Sequence, residues 1–282
     1  MKMTKVLYTF AALFMSSGIV AGQSTPREPG PAAAARVAYT RPQARSEQER
    51  DDYLAASSVA RGADLEAAAD GFAARYPESE LRVYLYAQTL QQYQAENNAP
   101  KLLATAEKVL ALNPNHSVAL ALSALALADN LEANDPDRAR KVEEIKRRGS
   151  RAIHGVQAGF VPPASANAEQ AAQYRRALQS MAYSATGIMK LKTGDDAGAE
   201  KDLVTALALN KAQPDPSLWY HLALAQDHRK QYSAALNSVE QALQLASSNP
   251  ELQKLAEIEH DRLSGLAGRA PRSPNTGAQA PR

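Results

Sequence analysis

The stretch LWYHLALAQDHRKQYSAALNSVEQALQL, residues 218 to 245, holds the single tryptophan of the chain among many alanines. Its apolar residues recur every three or four positions on either side of a longer gap, which is typical of two helices joined by a turn. Alanine favours helices and lets two backbones approach closely. The stretch therefore predicts a tightly crossed helix pair, with alanines at the crossing and Trp219 as a wedge in its core.

Two further stretches repeat the spacing of this one. In all three, seven positions are separated by 3, 1, 3, 9, 4 and 3 residues. A fixed pattern that recurs along a chain is the signature of stacked repeats. The matching residues are Trp219, Leu222, Ala223, Gln226, Ala235, Val239 and Ala242; Tyr183, Thr186, Gly187, Lys190, Ala199, Leu203 and Ala206; and Tyr86, Thr89, Leu90, Tyr93, Leu102, Ala106 and Val109.

This pattern resembles the tetratricopeptide repeat, a helix-turn-helix unit of about 34 residues. The chain departs from the family where Ala223 and Leu90 replace Gly, and where Gln226 and Lys190 replace Tyr. The resemblance covers residues 49 to 249 and implies an all-α, right-handed superhelical solenoid of about five helix pairs. Its best matches are Trp219, Leu222, Ala235, Ala242, Gly187, Ala199, Ala206, Tyr93 and Pro114.

The composition changes along the chain and suggests how it is organised. Both ends are rich in Pro, Ala and Arg with almost no large apolar residues, which is typical of flexible segments. A stretch containing Pro162 and Pro163 interrupts the helical period. The predicted segments are a signal peptide (1–22), a linker (23–47), N-terminal repeats (48–155), an irregular connection (156–170), C-terminal repeats (171–249), a capping helix (250–264) and a tail (265–282).

The capping helix is predicted from PELQKLAEIEHDRLSG, which begins at Pro250. Leu252, Leu255, Ile258 and Leu263 are expected on one face of this helix, against the last repeat. The opposite face is expected to be charged, because a terminal repeat must present a polar surface to water.

Residues 1 to 22 predict export. Lys2 and Lys5 precede a short apolar segment, and small residues follow it, as in a signal peptide cleaved after Ala21 or Gly22. The mature protein is then periplasmic or secreted. The alternative is an uncleaved signal that anchors the chain to the inner membrane. Since the chain has no cysteine, it forms no disulfide and carries no lipid on a cysteine.

Charge is unevenly distributed, with basic ends around an acidic body. Nucleic-acid binding needs a concentrated basic face, so no nucleic-acid partner is expected. One internal stretch, RARKVEEIKRRGSR (138–151), is rich in Lys and Arg. We interpret it as a solvated helix in which Glu143 and Glu144 pair with nearby cations. Contact with anionic lipid headgroups is the alternative for this helix.

The sequence contains no motif for catalysis, a cofactor or a metal. There is no G-x-S-x-G, P-loop, G-x-G-x-x-G or H-E-x-x-H. His221 and His228 are seven residues apart, about 10 Å along one helix, which is too far to share one ion. Asp195 and Asp196 lie in a turn where Asp caps the following helix. No catalytic residue, cofactor or metal is therefore expected.

A solenoid of this type presents a concave face made mainly by the first helix of each pair. Residues on those helices that lie off the core stripe are the candidates for binding an extended or helical peptide. Some family members bind a carboxylate with a cluster of basic residues, but here Lys192 is the only basic candidate. The candidates are Gln88, Gln91, Gln94, Ile188, Leu191, Lys192, Tyr220, Leu224, Asp227 and His228.

These observations predict a non-catalytic scaffold or adaptor that binds a protein or peptide in the bacterial cell envelope. The class rests on the resemblance and on the absence of catalytic motifs, and a fold does not dictate a function. Three alternatives stay open. The chain is an accessory subunit of an envelope enzyme or assembly system, an enzyme whose site lies in the irregular segment 155–170, or a structural protein that associates with itself through the last apolar repeat.

Overall fold

The computed structural model describes residues 43–160 and 166–268, with the backbone alone for residues 157–159. This part of the chain holds eleven α-helices and no β-strand. The predicted signal peptide and nearly all of the predicted linker and tail lie outside it. The helices are α1 (Glu47–Ser57), α2 (Gly62–Arg75), α3 (Arg82–Ala95), α4 (Ala99–Leu112), α5 (Ser117–Asp129), α6 (Arg138–Gly159), α7 (Ala168–Thr193), α8 (Asp196–Leu209), α9 (Pro216–His228), α10 (Tyr232–Leu245) and α11 (Pro250–Leu266).

The helices pack in chain order, each against the next. They form five pairs, from α1 and α2 to α9 and α10, with α11 against the last pair. The first helices of successive pairs also touch, α1 with α3, α3 with α5, α5 with α7 and α7 with α9. The chain is therefore an all-α, right-handed superhelical solenoid of the tetratricopeptide-repeat type, as its sequence predicted.

The repeated positions form the core of the solenoid. All but three of their side chains are buried, the exceptions being Tyr183, Lys190 and Trp219. Close crossings explain the small residues: a Cβ added to Gly187 would lie 2.9 Å from Cγ of Leu203. The predicted alanines at these crossings, among them Ala206 and Ala242, are fully buried.

Lys190 and Gln226, which replace the family's Tyr, both make hydrogen bonds between the two helices of their pair. Lys190 on α7 donates to Asp202 on α8 across 2.7 Å, and Asp202 also accepts a 2.6 Å hydrogen bond from Thr186. On α9, Gln226 accepts a 2.7 Å hydrogen bond from Ser238 on α10. In both pairs the polar residue joins the first helix to the second.

Side chains at the predicted turns explain where several helices begin. Asn98, Asp195, Asp215 and Asn249 each accept a hydrogen bond from a backbone N–H in the first turn of the helix that follows. These contacts satisfy donors that have no partner within a helix. The capping role expected for the Asp195-Asp196 turn is confirmed, because Asp195 accepts from the N–H of Gly198 at 3.0 Å.

Helices α6 and α7 are longer than the sequence predicted. They have 22 and 26 residues, whereas the other members of pairs have 11 to 14. Both helices extend into the span 156–170 that was expected to be irregular, α6 to Gly159 and α7 from Ala168. The added turns of the two helices pack on each other, with the rings of Phe160 and Tyr174 6.1 Å apart. This apolar contact joins the C-terminal end of α6 to the second turn of α7.

Two apolar residues lie elsewhere than expected. Trp219 is half-buried and contacts both hydrophobic clusters of the solenoid, the main one and a smaller one formed by α9, α10 and α11. It thus joins two cores instead of filling one. Ile258 was expected against the last repeat, but its side chain is 59% exposed because α11 turns Leu252, Ala256 and Leu263 toward α10. None of the described helices is both long and apolar enough to cross a membrane.

Candidate peptide-binding face

A row of polar side chains lies along one side of α3. Gln88, Gln91 and Gln94 are all half-buried. Gln88 donates through Nε2 to the carbonyl oxygen of Ser57 at 2.8 Å, which ties α3 to the end of α1. Within residues 43–160 and 166–268, Gln91 and Gln94 have no hydrogen-bond partner. Together with Tyr84, one helical turn before Gln88, these residues are called the glutamine face.

The glutamine face carries no charged side chain, and its neighbour in the array is apolar. Helix α5 packs beside α3 and is buried on nearly all sides, with Leu122 and Leu125 about as enclosed as core residues. On the other side, Arg50 of α1 is already paired with Asp51 at 3.0 Å. The face can therefore donate and accept hydrogen bonds through two amides, and it carries no charge of either sign.

The middle of the array offers no such surface. Ile188 is fully buried and Leu191 is 8% exposed, so the expectation that they lie off the core is wrong. The physical reason is that α7 is packed by α5, α6, α8 and α9 together. A helix with neighbours on so many sides buries positions that an ordinary repeat leaves free.

Lys192 is also occupied by the protein itself. Its Nζ donates to the carbonyl oxygens of Ala128 and Asp129 at 2.8 and 2.6 Å, at the C-terminal end of α5. A cation is favourable there because the last carbonyls of a helix carry partial negative charge. Burial lowers the pKa of Lys192, and the nearby guanidinium of Arg138 acts in the same direction. Lys192 stabilises a helix end instead of facing a ligand.

At the C-terminal end, α11 covers the residues of α9 that were expected to be free. Tyr220 is 7% exposed, and burial, with Glu259 nearby, raises its pKa to about 12. Asp227 pairs with Arg262 of α11 at 2.5 Å, and Arg262 also binds Glu259. The expectation of a free surface is therefore wrong for Tyr220, and Asp227 is engaged by the capping helix.

The remaining candidates on α9 do not form a site with the glutamine face. His228 lies 2.9 Å from Asp196 at the start of α8, and Leu224 is half-buried between the two hydrophobic clusters. His221 is buried and its Nδ1 lies 2.8 Å from the carbonyl oxygen of Ser217. In the described part of the chain, no three His, Asp or Glu residues are grouped so that they could hold a metal ion.

Five of the seven cations in the basic stretch on α6 are paired with carboxylates within the protein. Lys146 pairs with Glu143, and Arg147 and Arg148 pair with Glu144, at 2.7 to 2.8 Å, which confirms the predicted intrahelical ion pairs. Asp135 and Asp137 bind Lys141 and Arg140 in the same way. These pairs offset part of the positive charge of the stretch, while Arg138 and Arg151 bind carbonyl and amide oxygens instead of carboxylates.

Tyr84 is the member of the glutamine face that the sequence prediction missed. It precedes Gln88 by four residues and Gln91 by seven, the spacing that places residues on one side of a helix. That spacing was available in the sequence, but an aromatic residue on a repeat helix more often belongs to the core. In the structure Tyr84 is half-buried and packs against the edge of the main cluster.

The fold and this face define a class of protein, a helical-repeat solenoid of the tetratricopeptide type with a half-buried row of amides near one end. Solved structures share the fold. PilW, described as a widely conserved type IV pilus biogenesis factor, is 18% identical over 80% of this chain and 88% of its own, with a TM-score of 0.51. A thermophilic TPR protein of Thermus thermophilus is 16% identical over 75% of this chain and 98% of its own, with a TM-score of 0.42. No protein-family profile and no curated protein matches the chain.

Proposed function

We propose that the protein is a non-catalytic scaffold that binds a protein or peptide partner on the glutamine face. The observation that carries this proposal is the contrast along α3. Gln88 already binds a main-chain carbonyl, while Gln91 and Gln94 have the same chemistry and no partner among the described residues. Partly exposed amides without a protein partner remain free to donate to and accept from the main chain of a bound peptide.

The expected site is smaller than the concave face of a whole solenoid. Side chains close the middle of the array, and α11 covers the C-terminal end, so the partner engages α1, α3 and the edge of α5. A short extended or helical segment fits this length, because α3 has 14 residues and spans about 21 Å.

The place of action in this proposal is the cell envelope. The export signal predicted over residues 1–22 supports it. PilW, which shares the fold, is a pilus biogenesis factor, and by analogy the subunits of an envelope assembly are the first partners to test. The role is that of a scaffold that holds such a subunit and does no chemistry on it.

A crosslinking pull-down from envelope extract tests the proposal. The exported protein is compared with Gln91→Ala/Gln94→Ala and with a matched control, Gln241→Ala/Gln244→Ala, on the exposed side of α10. Thermal unfolding followed by circular dichroism establishes that all three chains fold alike.

The wild type and the α10 control are expected to capture the same partner, and the α3 variant to lose it. Binding is then repeated with the purified partner at low and high salt. Because the glutamine face is uncharged, its affinity should change little with ionic strength. Equal capture by all three chains would place the binding surface elsewhere.

A further inference from the structure

We propose that residues 23–42, which directly precede the described part of the chain, dock across the glutamine face and compete with its partner. This inference concerns the regulation of the proposed binding site and rests on that proposed function. It names one occupant, a segment of the same chain, for a surface whose amides have no partner among the described residues.

The first step is that residues 23–42 are long enough to reach the glutamine face. Residues 23–42 comprise 20 residues and span about 60 Å when extended. The described chain begins next to the first repeat, where Ala44 packs against the main hydrophobic cluster and α1 starts at Glu47. Since α1 and α3 are in contact, the glutamine face lies one helix away from that entry point. The segment is several times longer than this path.

The second step is shape and chemistry. The middle of the segment, PAAAA (31–35), has only small side chains and no charge. Such a stretch lets its main chain approach another surface closely. Gln88 shows that this row of amides recognises main-chain carbonyls, since it binds that of Ser57. Gln91 and Gln94 can make the same contact with the carbonyl and N–H groups of an alanine run.

The third step is charge. Residues 23–42 carry Arg27, Arg36 and Arg41 against Glu28 alone. The first repeat, in contrast, exposes carboxylates without a cation within ion-pair distance in the described chain. These are Glu47 at the start of α1 and Glu78 and Glu80 in the turn between α2 and α3. A basic segment that crosses the first repeat therefore meets carboxylates near the starts of α1 and α3.

Tethering makes a weak contact sufficient. A short flexible connection holds its segment at an effective concentration on the order of 1 mM. A contact with a dissociation constant of about 0.1 mM would then be about 90% formed, and would weaken a competing partner about tenfold. The docked segment would act as an intramolecular competitor that the partner must displace.

Cysteine crosslinking provides the test, because the chain has no cysteine of its own. One variant carries Ala34→Cys with Gln91→Cys, and the matched control carries Ala34→Cys with Gln241→Cys on α10. Docking predicts that the α3 pair forms a disulfide at least about ten times faster than the α10 pair, because docking raises the local concentration at α3 alone. A smaller ratio would overturn the proposal.

A second measurement avoids the cysteine variants, in case one of them does not fold. A synthetic peptide of residues 23–42 is added to a chain that begins at residue 43, and the side-chain amide signals are followed by NMR. Saturable shifts of Gln91 and Gln94, with Gln241 unchanged, support docking, and no shift at the two α3 glutamines contradicts it. Neither measurement uses the external partner, so a failed pull-down and a failed docking test are separate results.

Discussion

At the scale of single residues, the size of the side chain at a helix crossing decides whether two helices of a repeat can meet. Gly187 and Gly71 both lie within helices but differ in their surroundings. A Cβ on Gly187 would press on Leu203 at 2.9 Å, whereas a Cβ on Gly71 would meet nothing within 4 Å. The same substitution should therefore have opposite effects at the two positions.

We predict that Gly187→Ala lowers the free energy of unfolding by about 1–3 kcal/mol, through overpacking. Gly71→Ala should raise it by about 1 kcal/mol, because alanine is the better helix former on an exposed helix surface. Urea denaturation followed by circular dichroism measures both. A stabilising Gly187→Ala would show that α7 and α8 are not as close as described.

Two histidines, the buried His221 and the half-buried His116, set a second prediction at this scale. Burial, reinforced by Lys192, lowers the pKa of His221 to about 4, and burial lowers that of His116 to about 4. The unfolded chain takes up these protons near pH 6.5, but the folded chain only near pH 4. The free energy of unfolding is therefore highest at neutral pH, where both rings are neutral in both states. It falls as the pH drops from 6.5 to 4, because only the unfolded chain then takes up the protons.

The expected loss is up to about 3 kcal/mol for each histidine between pH 6.5 and 4. His221→Gln should make the free energy of unfolding less dependent on pH over this range. Adding His116→Asn, which keeps a good N-cap for α5, should flatten it further. Unfolding curves in urea at several pH values provide the test, and an unchanged slope in the double variant would contradict the neutral state of both rings.

At the scale of helices, alanines on one side of α8 permit the pairing with α7. Ala206 is fully buried at this crossing, and Ala208, two residues later, is exposed. Ala206→Leu should lower the free energy of unfolding by about 1–3 kcal/mol, since the facing backbone leaves no space for the larger side chain. Ala208→Leu, on the solvent side, should change it by less than about 0.5 kcal/mol. Thermal unfolding of the two variants distinguishes them, and equal losses would mean that the faces of α8 are assigned wrongly.

Helices and their core faces could largely be predicted from the sequence, because both follow from a local period. The spacing of the three repeated stretches correctly placed Leu90, Ala199 and Val239 in the core. The lengths of α6 and α7 could not be predicted in this way. Their added turns lie outside the three repeated stretches, so the repeat period sets no bound for them, and there Phe160 packs on Tyr174.

The candidate site was harder to predict, because exposure depends on distant neighbours as well as on a helix's own period. Ile188 has the spacing of a free position, but α7 has neighbours on almost every side. Lys192 looks like a ligand-binding cation, yet its long side chain reaches the end of α5. Tyr220 is closed off by α11, a helix that begins 30 residues later. Gln91 and Gln94 on α3 kept partial exposure with no partner among the described residues, whereas His228, which is also exposed, lies against Asp196.

At the scale of the whole molecule, the two ends of the solenoid differ. The C-terminal end is closed by α11, with its own small hydrophobic cluster and the Asp227–Arg262–Glu259 group. The N-terminal end presents, beside an apolar helix, two amides that have no partner among the described residues. An array that is closed at one end and in its middle should bind a partner at the other end only. The central claim is therefore that the protein binds a partner and that it does so at the N-terminal end of the solenoid.

Site-specific photocrosslinking tests that claim most directly. A photoreactive amino acid is placed at Gln91 on α3 or, in a second chain, at His228 on α9, and both chains are irradiated in cells of the source. The account predicts a discrete protein adduct from position 91 that is missing when Gln94→Ala is added, and no adduct from position 228. An adduct at 228 without one at 91 would contradict the account, because it would place the partner at the end that α11 closes.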